Sequence, residues 1–161
     1  MYISRLFRHV FAVLCLVLIA ACQTPTGLTP EQITMLRDSG FSETDEGWAL
    51  NLDARLLFDI SSAALTQKEK DSLDKIASTL TYIGIGDIII EGHTDSTGSE
   101  RYNRELSLKR ATMVADYLAS VGMDRERMQI KALGSENPIA SNTTPAGRSE
   151  NRRTVIIVPA K

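Results

Sequence analysis

The chain has 161 residues, of which 18 are Lys or Arg and 20 are Asp or Glu, giving a formal net charge of −2. That balance lacks the basic excess of a nucleic-acid binder, and the length suffices for one core and one domain. Of the 2 cysteines, Cys15 falls in an apolar leader, so no disulfide framework is expected.

Arg5 and Arg8 precede Val10 to Ala21, an apolar run of 12 residues. A bilayer span needs about 20 residues, so residues 1–21 read as a cleavable secretory signal. Ile19-Ala20-Ala21-Cys22 resembles the bacterial lipobox, in which the cysteine is lipidated and becomes the first mature residue. The resemblance implies a covalent lipid on Cys22 and no other cofactor. Gln23, standing where Asp would favour the inner membrane, implies an outer-membrane anchor with the chain facing the periplasm. Removal of residues 1–21 leaves 140 residues with 16 basic and 20 acidic side chains, a net charge near −4.

Residues 23–29, QTPTGLT, read as a linker. Thr29-Pro30-Glu31-Gln32 then supplies an N-cap, a proline at N1 and a glutamine at N3, which predicts a short helix near 30–39 ending at Gly40. Residues 42–47, SETDEG, read as an acidic loop. Residues 22–47 are therefore expected to form a lipid-anchored tether, with the globular domain spanning 48–161. Fully extended, the stretch from Cys22 to Trp48 would reach at most about 90 Å.

Trp48, Leu50 and Leu52 alternate with Ala49, Asn51 and Asp53, the pattern of a half-buried strand. Thr66-x-x-Glu69 is a capping box that opens a helix with Leu73, Ile76, Leu80 and Ile83 inside. Asp87 to Glu91 reads as a short apolar strand, and GHTDSTGS as a polar loop. A second long helix runs from about Glu100 to Val121. Met128, Ile130 and Ala132 mark a third strand, residues 134–151 a loop, and Thr154 to Val158 a last strand. The order β-α-β-α-β-β predicts an α/β (α+β) two-layer sandwich, a mixed sheet with helices on one face.

The long helix poses the chemical question. At 100° per residue, Asn103 and Arg110 fall on the same side as Leu106, Met113, Val114, Tyr117 and Val121. A buried guanidinium needs an acid or an anionic ligand. Asp95, in the loop feeding this helix, is the nearest acid. Gly92, Thr94, Gly98 and Ser99 could present backbone N–H groups beside it. A carboxylate, a guanidinium, an amide and free N–H groups in one crevice suit a zwitterion. A purely internal Asp95–Arg110 ion pair fits the spacing equally well.

The segments IIIEGHTDSTGSERYNRELSLKRATMVADYLASVGM and LGSENPIASNTTPAGRSENRRTVIIV resemble the OmpA-like peptidoglycan-binding domain found in OmpA, Pal and MotB. The pieces GHTD, YN-x-x-LS-x-x-RA, N-T-x-x-x-G-R and NRR carry the resemblance. It implies a domain that binds the diaminopimelate (DAP) of the peptidoglycan stem without cleaving it. On that resemblance Asp95 takes the DAP ammonium and Arg110 its carboxylate. Thr94 and the backbone near Gly92 assist, and Asn103 and Leu106 shape the wall. Phe58 and Asp59 flank the pocket, and Asn151 and Arg152 stand beside it. Arg148 and Arg153 cluster with Arg152, and read as solvated loop charges.

The stretch GLTPEQITMLRDSGFSETDEGWALNL resembles a narrower group of outer-membrane lipoproteins. That group captures a periplasmic repressor and so releases an inner-membrane diguanylate cyclase, raising cyclic di-GMP. The resemblance assigns docking to Leu36, Phe41 and Trp48; the same residues could instead fold back on the core. The alternative function is a structural tether between outer membrane and peptidoglycan with no signalling partner. A remoter one is a wall hydrolase using Glu91, His93 and Asp95, which alternate in sequence. His93 is the only mature histidine, no G-x-S-x-G elbow is present, and neither a metal site nor an enzyme is expected. Gly84-Ile85-Gly86 lacks the third glycine of a dinucleotide fingerprint.

Overall fold

In the computed structural model the described residues are 27–53 and 65–159. The expected signal (1–21), the lipidation site Cys22 and the pocket-flanking pair Phe58 and Asp59 lie outside them.

The elements in chain order are α1 (Pro30–Asp38), β1 (Ser42–Thr44), β2 (Gly47–Asp53), α2 (Gln67–Tyr82), β3 (Ile88–His93), α3 (Glu100–Ser120), a 3₁₀ turn (Arg125–Arg127), β4 (Met128–Gly134), α4 (Pro145–Asn151) and β5 (Arg153–Pro159). The strands form one sheet in the order β1-β2-β5-β3-β4. β3 and β4 are parallel, as the α3 crossover between them requires, and the other pairs are antiparallel. The fold is thus the mixed α/β arrangement that the element order implies.

Capping chemistry starts the helices where the sequence places them. Glu69 reaches back to accept the Thr66 N–H and is itself buried. The Ser99 hydroxyl accepts the Tyr102 N–H at 3.2 Å to open α3. Leu73 and Leu80 of α2, Val114 and Leu118 of α3, and Ile88, Ile90 and Ile156 of the sheet are buried in the core. Each such side chain contributes about 1.5–3 kcal/mol relative to exposure.

The approach of α3 to the sheet is closest at Gly92. A Cβ built there would lie 2.1 Å from the Ser107 carbonyl oxygen, so only glycine fits. Ser107 is buried against this strand pair, and its hydroxyl accepts the Gly134 N–H at 3.0 Å. The buried side of α3 is centred on Asn103, Ser107, Arg110, Ala111, Val114 and Leu118. The expected stripe is rotated slightly, because Val121 just past the helix end is exposed and Leu118 is not.

Three expectations need correction. Residues 42–47 are not a free loop: Ser42–Thr44 pairs with Gly47–Trp48–Ala49 as a β-hairpin. Residues 134–151 contain the helix Pro145–Asn151, capped by the Thr144 hydroxyl on the Gly147 N–H. The domain does not begin at 48, since Pro30–Ala160 forms one compact unit. α1 belongs to that unit. Its Gln32 side-chain amide donates to the Ile83 carbonyl at 2.8 Å, and Arg37 stacks over the Trp48 ring at 5.5 Å.

Leu36, Phe41 and Trp48 are accordingly 0%, 3% and 6% exposed. They do not form the open docking patch expected of them. Gly40, with φ at 90°, turns the chain after α1 so that the Phe41 N–H returns to the Leu36 carbonyl. That turn folds both side chains inward.

Candidate functional site

The carboxyl end of β3, the loop after it and the first half of α3 enclose a cleft of about 290 Å³. Thr94, Asp95, Thr97, Tyr102, Asn103 and Leu106 line it, and so do three arginines, Arg110, Arg148 and Arg152. Six expected site residues therefore meet in one place: Thr94, Asp95, Asn103, Leu106, Arg110 and Arg152.

Asp95 is held rigidly. One carboxylate oxygen accepts the Thr97 N–H at 2.7 Å, and the other meets an Arg152 nitrogen at 2.7 Å. Burial pushes its carboxyl upward, but the hydrogen bonds from Thr97 and Arg152 outweigh that and leave it below the ordinary value. The acid is ionised at neutral pH. Spacing in the sequence suggests Arg110 as its ion-pair partner; the hydrogen-bonded partner is Arg152, 57 positions away.

Arg110 rises from α3 into the floor of the cleft and is only 1% exposed. Burial lowers its pKa, and the like charge of Arg152 lowers it further, with Tyr102 and Asp95 pulling the other way. It remains a cation at any physiological pH. Asn103, two helical turns before it and 2% exposed, adds a buried amide. The Thr94 N–H donates to the Gly134 carbonyl at 2.7 Å and its hydroxyl to the Asp95 carbonyl at 2.9 Å, fixing the loop that carries the acid.

Gly92 and Asn151 are placed differently from expectation. Gly92 lies beneath α3 rather than in the cleft wall, where its missing Cβ admits the helix. Asn151 is fully buried and organises the opposite loop. Its side-chain oxygen accepts the Ile139 and Ala140 N–H groups at 2.9 and 3.0 Å, and its NH₂ donates to the Ala140 carbonyl and to Asn142 Oδ1. Asn142 in turn accepts the Ser96 N–H at 3.2 Å, tying this loop to the one bearing Asp95.

Sequence reasoning missed Thr97, Tyr102 and Arg148. Tyr102 stands at the rim, 51% exposed. Its sequence signal is the first position of YN-x-x-LS-x-x-RA, to which the resemblance assigned no role. Arg148 sits in α4, a helix the sequence did not announce.

The Glu91, His93 and Asp95 trio divides. His93 is 2% exposed, with Nε2 3.5 Å from the Glu91 carboxylate, and Glu91 also binds Lys131 at 2.9 Å. Burial and the neighbouring Arg153 push the imidazole down to about 4, against a smaller opposing pull from Glu91. His93 thus belongs to a strand and not to the loop. Asp95 is turned to Thr97 and Arg152. Among the described residues no cluster of three or more metal-ligating side chains occurs.

A mixed sheet packed against two long helices, with an acid-and-arginine cleft at the end of β3, defines a small α/β domain with a polar cleft. The OmpA family profile matches residues 57–152, and the chain belongs to the OmpA family. It is 42% identical over 146 residues to the outer-membrane lipoprotein YfiB of Pseudomonas aeruginosa, an alignment covering 89% of this chain and 87% of that one. It is also 42% identical over 103 residues to the peptidoglycan-binding protein ArfA of Mycobacterium tuberculosis, covering 64% of this chain and 32% of ArfA. Among solved structures, the cell wall anchor of the type VI secretion system from Pseudomonas aeruginosa superposes with a TM-score of 0.69 at 29% identity, covering 82% of this chain and 99% of that one. By this kinship the chain is an outer-membrane lipoprotein. Among the described residues no helix is long and apolar enough to cross a membrane.

Proposed function

We propose that this protein grips peptidoglycan through the DAP of the stem peptide and performs no catalysis. The observation that carries the reading is the convergence of Asp95, Asn103, Leu106 and Arg110 on one cleft. A zwitterion needs an anion for its ammonium and a cation for its carboxylate, both pre-set and partly shielded from water. Asp95 supplies the first and Arg110 the second. Thr94, with its N–H on the Gly134 carbonyl and its hydroxyl on the Asp95 carbonyl, holds the loop that presents the acid, and Leu106 packs on the aliphatic stem. Two relatives support the same chemistry: ArfA is a peptidoglycan-binding protein, and the secretion-system homologue is a cell wall anchor.

Sacculus pull-down of the full chain in detergent tests it. Wild type should sediment with purified sacculi, and Asp95→Ala and Arg110→Ala should each lose at least about tenfold in affinity, the cost of one charge-assisted contact. Binding unchanged in both variants would refute the pocket. Release of soluble muropeptides by wild type would revive the hydrolase.

The resemblance to YfiB supports a further role, capture of a YfiR-like periplasmic repressor and activation of a diguanylate cyclase. With Leu36, Phe41 and Trp48 buried, that capture requires α1 and the hairpin to detach from the sheet first. The same burial favours a second reading, a plain tether between outer membrane and peptidoglycan. Co-purification with such a repressor, strengthened when α1 is loosened by Leu36→Pro, supports capture; no association in either form leaves the tether.

A further inference from the structure

The cleft takes its acid and its floor cation from different elements. Asp95 rides on the loop after β3, while Asn103, Leu106 and Arg110 ride on α3. Their separation therefore depends on where α3 sits along the sheet. Two glycines let the helix come down close. A Cβ on Gly92 would lie 2.1 Å from the Ser107 carbonyl oxygen, and one on Gly134 would lie 3.2 Å from the Arg104 backbone nitrogen. Bare backbone admits the helix but offers no side-chain ridge to lock it along its axis at this end. Ser107 supplies the lock. It is 0% exposed and lies between Asn103 and Arg110 on the buried side of α3, about one turn from each. Its hydroxyl donates to the Arg104 carbonyl at 2.9 Å, and its oxygen accepts the Gly134 N–H at 3.0 Å. The Gly134 carbonyl accepts the Thr94 N–H at 2.7 Å, and the Thr94 hydroxyl donates to the Asp95 carbonyl at 2.9 Å. An unbroken run of hydrogen bonds thus joins the helix that carries the cation to the residue that carries the acid.

We infer that Ser107 is a positioning residue: by pinning α3 to Gly134 it sets the separation of the Asp95 carboxylate from the Arg110 guanidinium, and with it the configuration of the zwitterion that the cleft accepts. The inference rests on the peptidoglycan reading and adds to it the residue that fixes the geometry of the grip. At the free end of DAP one tetrahedral carbon bears an ammonium, a carboxylate, the aliphatic chain and a hydrogen. On that reading Asp95, Arg110 and Leu106 meet the first three. With the three contacts fixed in space, only one configuration of the carbon satisfies them all. Without the Ser107 hydroxyl the buried Gly134 N–H has lost its acceptor, and a shift of α3 relieves it. A shift well short of the helix rise of about 1.5 Å per residue suffices to loosen one of the three contacts. The mirror-image centre then fits nearly as well as the right one, and the preorganisation that favours binding is lost.

Calorimetric titration of the full chain in detergent with two synthetic N-acetyl-L-Ala-γ-D-Glu-DAP tripeptides provides the test. One probe carries meso-DAP and the other LL-DAP, so they differ only in the configuration of the free centre. Wild type should bind one about tenfold more tightly than the other, the size expected for one charge-assisted contact. Ser107→Ala, measured below its melting range, should bind the preferred probe about tenfold more weakly and shrink the preference to about twofold or less. Ser107→Cys fills the same space with a poor acceptor and should follow Ser107→Ala, which separates the hydrogen bond from the packing. A merely structural serine would lower the melting temperature and leave the preference of the folded protein intact. That result overturns the inference. Equal binding of the two probes by wild type overturns it too, whether or not any variant folds. Failure of both variants to fold also counts against it, since it assigns the hydroxyl to stability. If neither probe binds wild type, the peptidoglycan reading itself has failed, a distinct outcome.

Discussion

At the cleft, Asp95, Asn103 and Arg110 are drawn almost wholly out of water, and the acid is held by other polar groups. At the N-terminal end, Leu36, Phe41 and Trp48 leave water to an equal degree, held by packing, one backbone turn and a stacked arginine. From sequence alone both regions read as places where the molecule meets a partner. The difference between them teaches how to tell a site from a core. Buried charge is costly, so it persists where geometry or a ligand repays it. Buried aromatic surface is favourable in itself and signals nothing beyond stability.

The contrast can be broken experimentally, starting with the sheet that both regions share. Gly92→Ala should abolish cooperative folding, because its methyl would meet the Ser107 carbonyl at 2.1 Å and α3 would have to leave the sheet. Circular dichroism melts would show it, and a wild-type transition would mean that α3 can shift without penalty. Trp48→Ala should cost about 3–5 kcal/mol in urea unfolding. Below its melting range it should still sediment with sacculi as wild type does. Loss of that binding in folded protein would erase the distinction between the regions.

His93 gives a pH-dependent handle on the sheet beside the cleft. Its folded pKa, about 4, lies below the ordinary 6.5. The folded state therefore binds fewer protons than the unfolded state between these values. Stability is complete above pH 6.5 and declines as pH falls toward 4, by roughly 3 kcal/mol from this group. His93→Gln should flatten that part of the stability–pH curve; an unchanged slope would assign it to other groups. The smallest effect is expected at Arg37, whose guanidinium lies 5.5 Å from the centre of the Trp48 ring. Arg37→Ala should cost about 0.5–1 kcal/mol, and a loss several times larger would show that α1 is clamped mainly by this cation.

Much of the fold was legible because its signals are local. The Thr66-x-x-Glu69 box, the Thr29-Pro30 start and the helical phase that turns Arg110 inward all act within a few residues. Ser42–Thr44 was not legible, because a three-residue edge strand with every side chain exposed has no alternation to read. Pro145–Asn151 hid for a similar reason: seven residues with an internal glycine give no apolar period. At the site, inward-facing Arg110 could be read from phase, and the family resemblance pointed to the acid. That Arg152 forms the hydrogen-bonded ion pair with Asp95 could not be read, since it depends on β5 lying beside β3 in the sheet.

The antiparallel pairing of β2 with β5 has a mechanical side. Seven residue pairs run from Gly47 opposite Pro159 to Asp53 opposite Arg153. The chain enters β2 at its Gly47 end, while β5 begins at the Arg153 end, one residue past Arg152 in the cleft. A pull between the entering chain and whatever the cleft holds would drag these strands from opposite ends. Such a load falls on the whole ladder in shear, so its hydrogen bonds must fail together and not one after another as a zipper would.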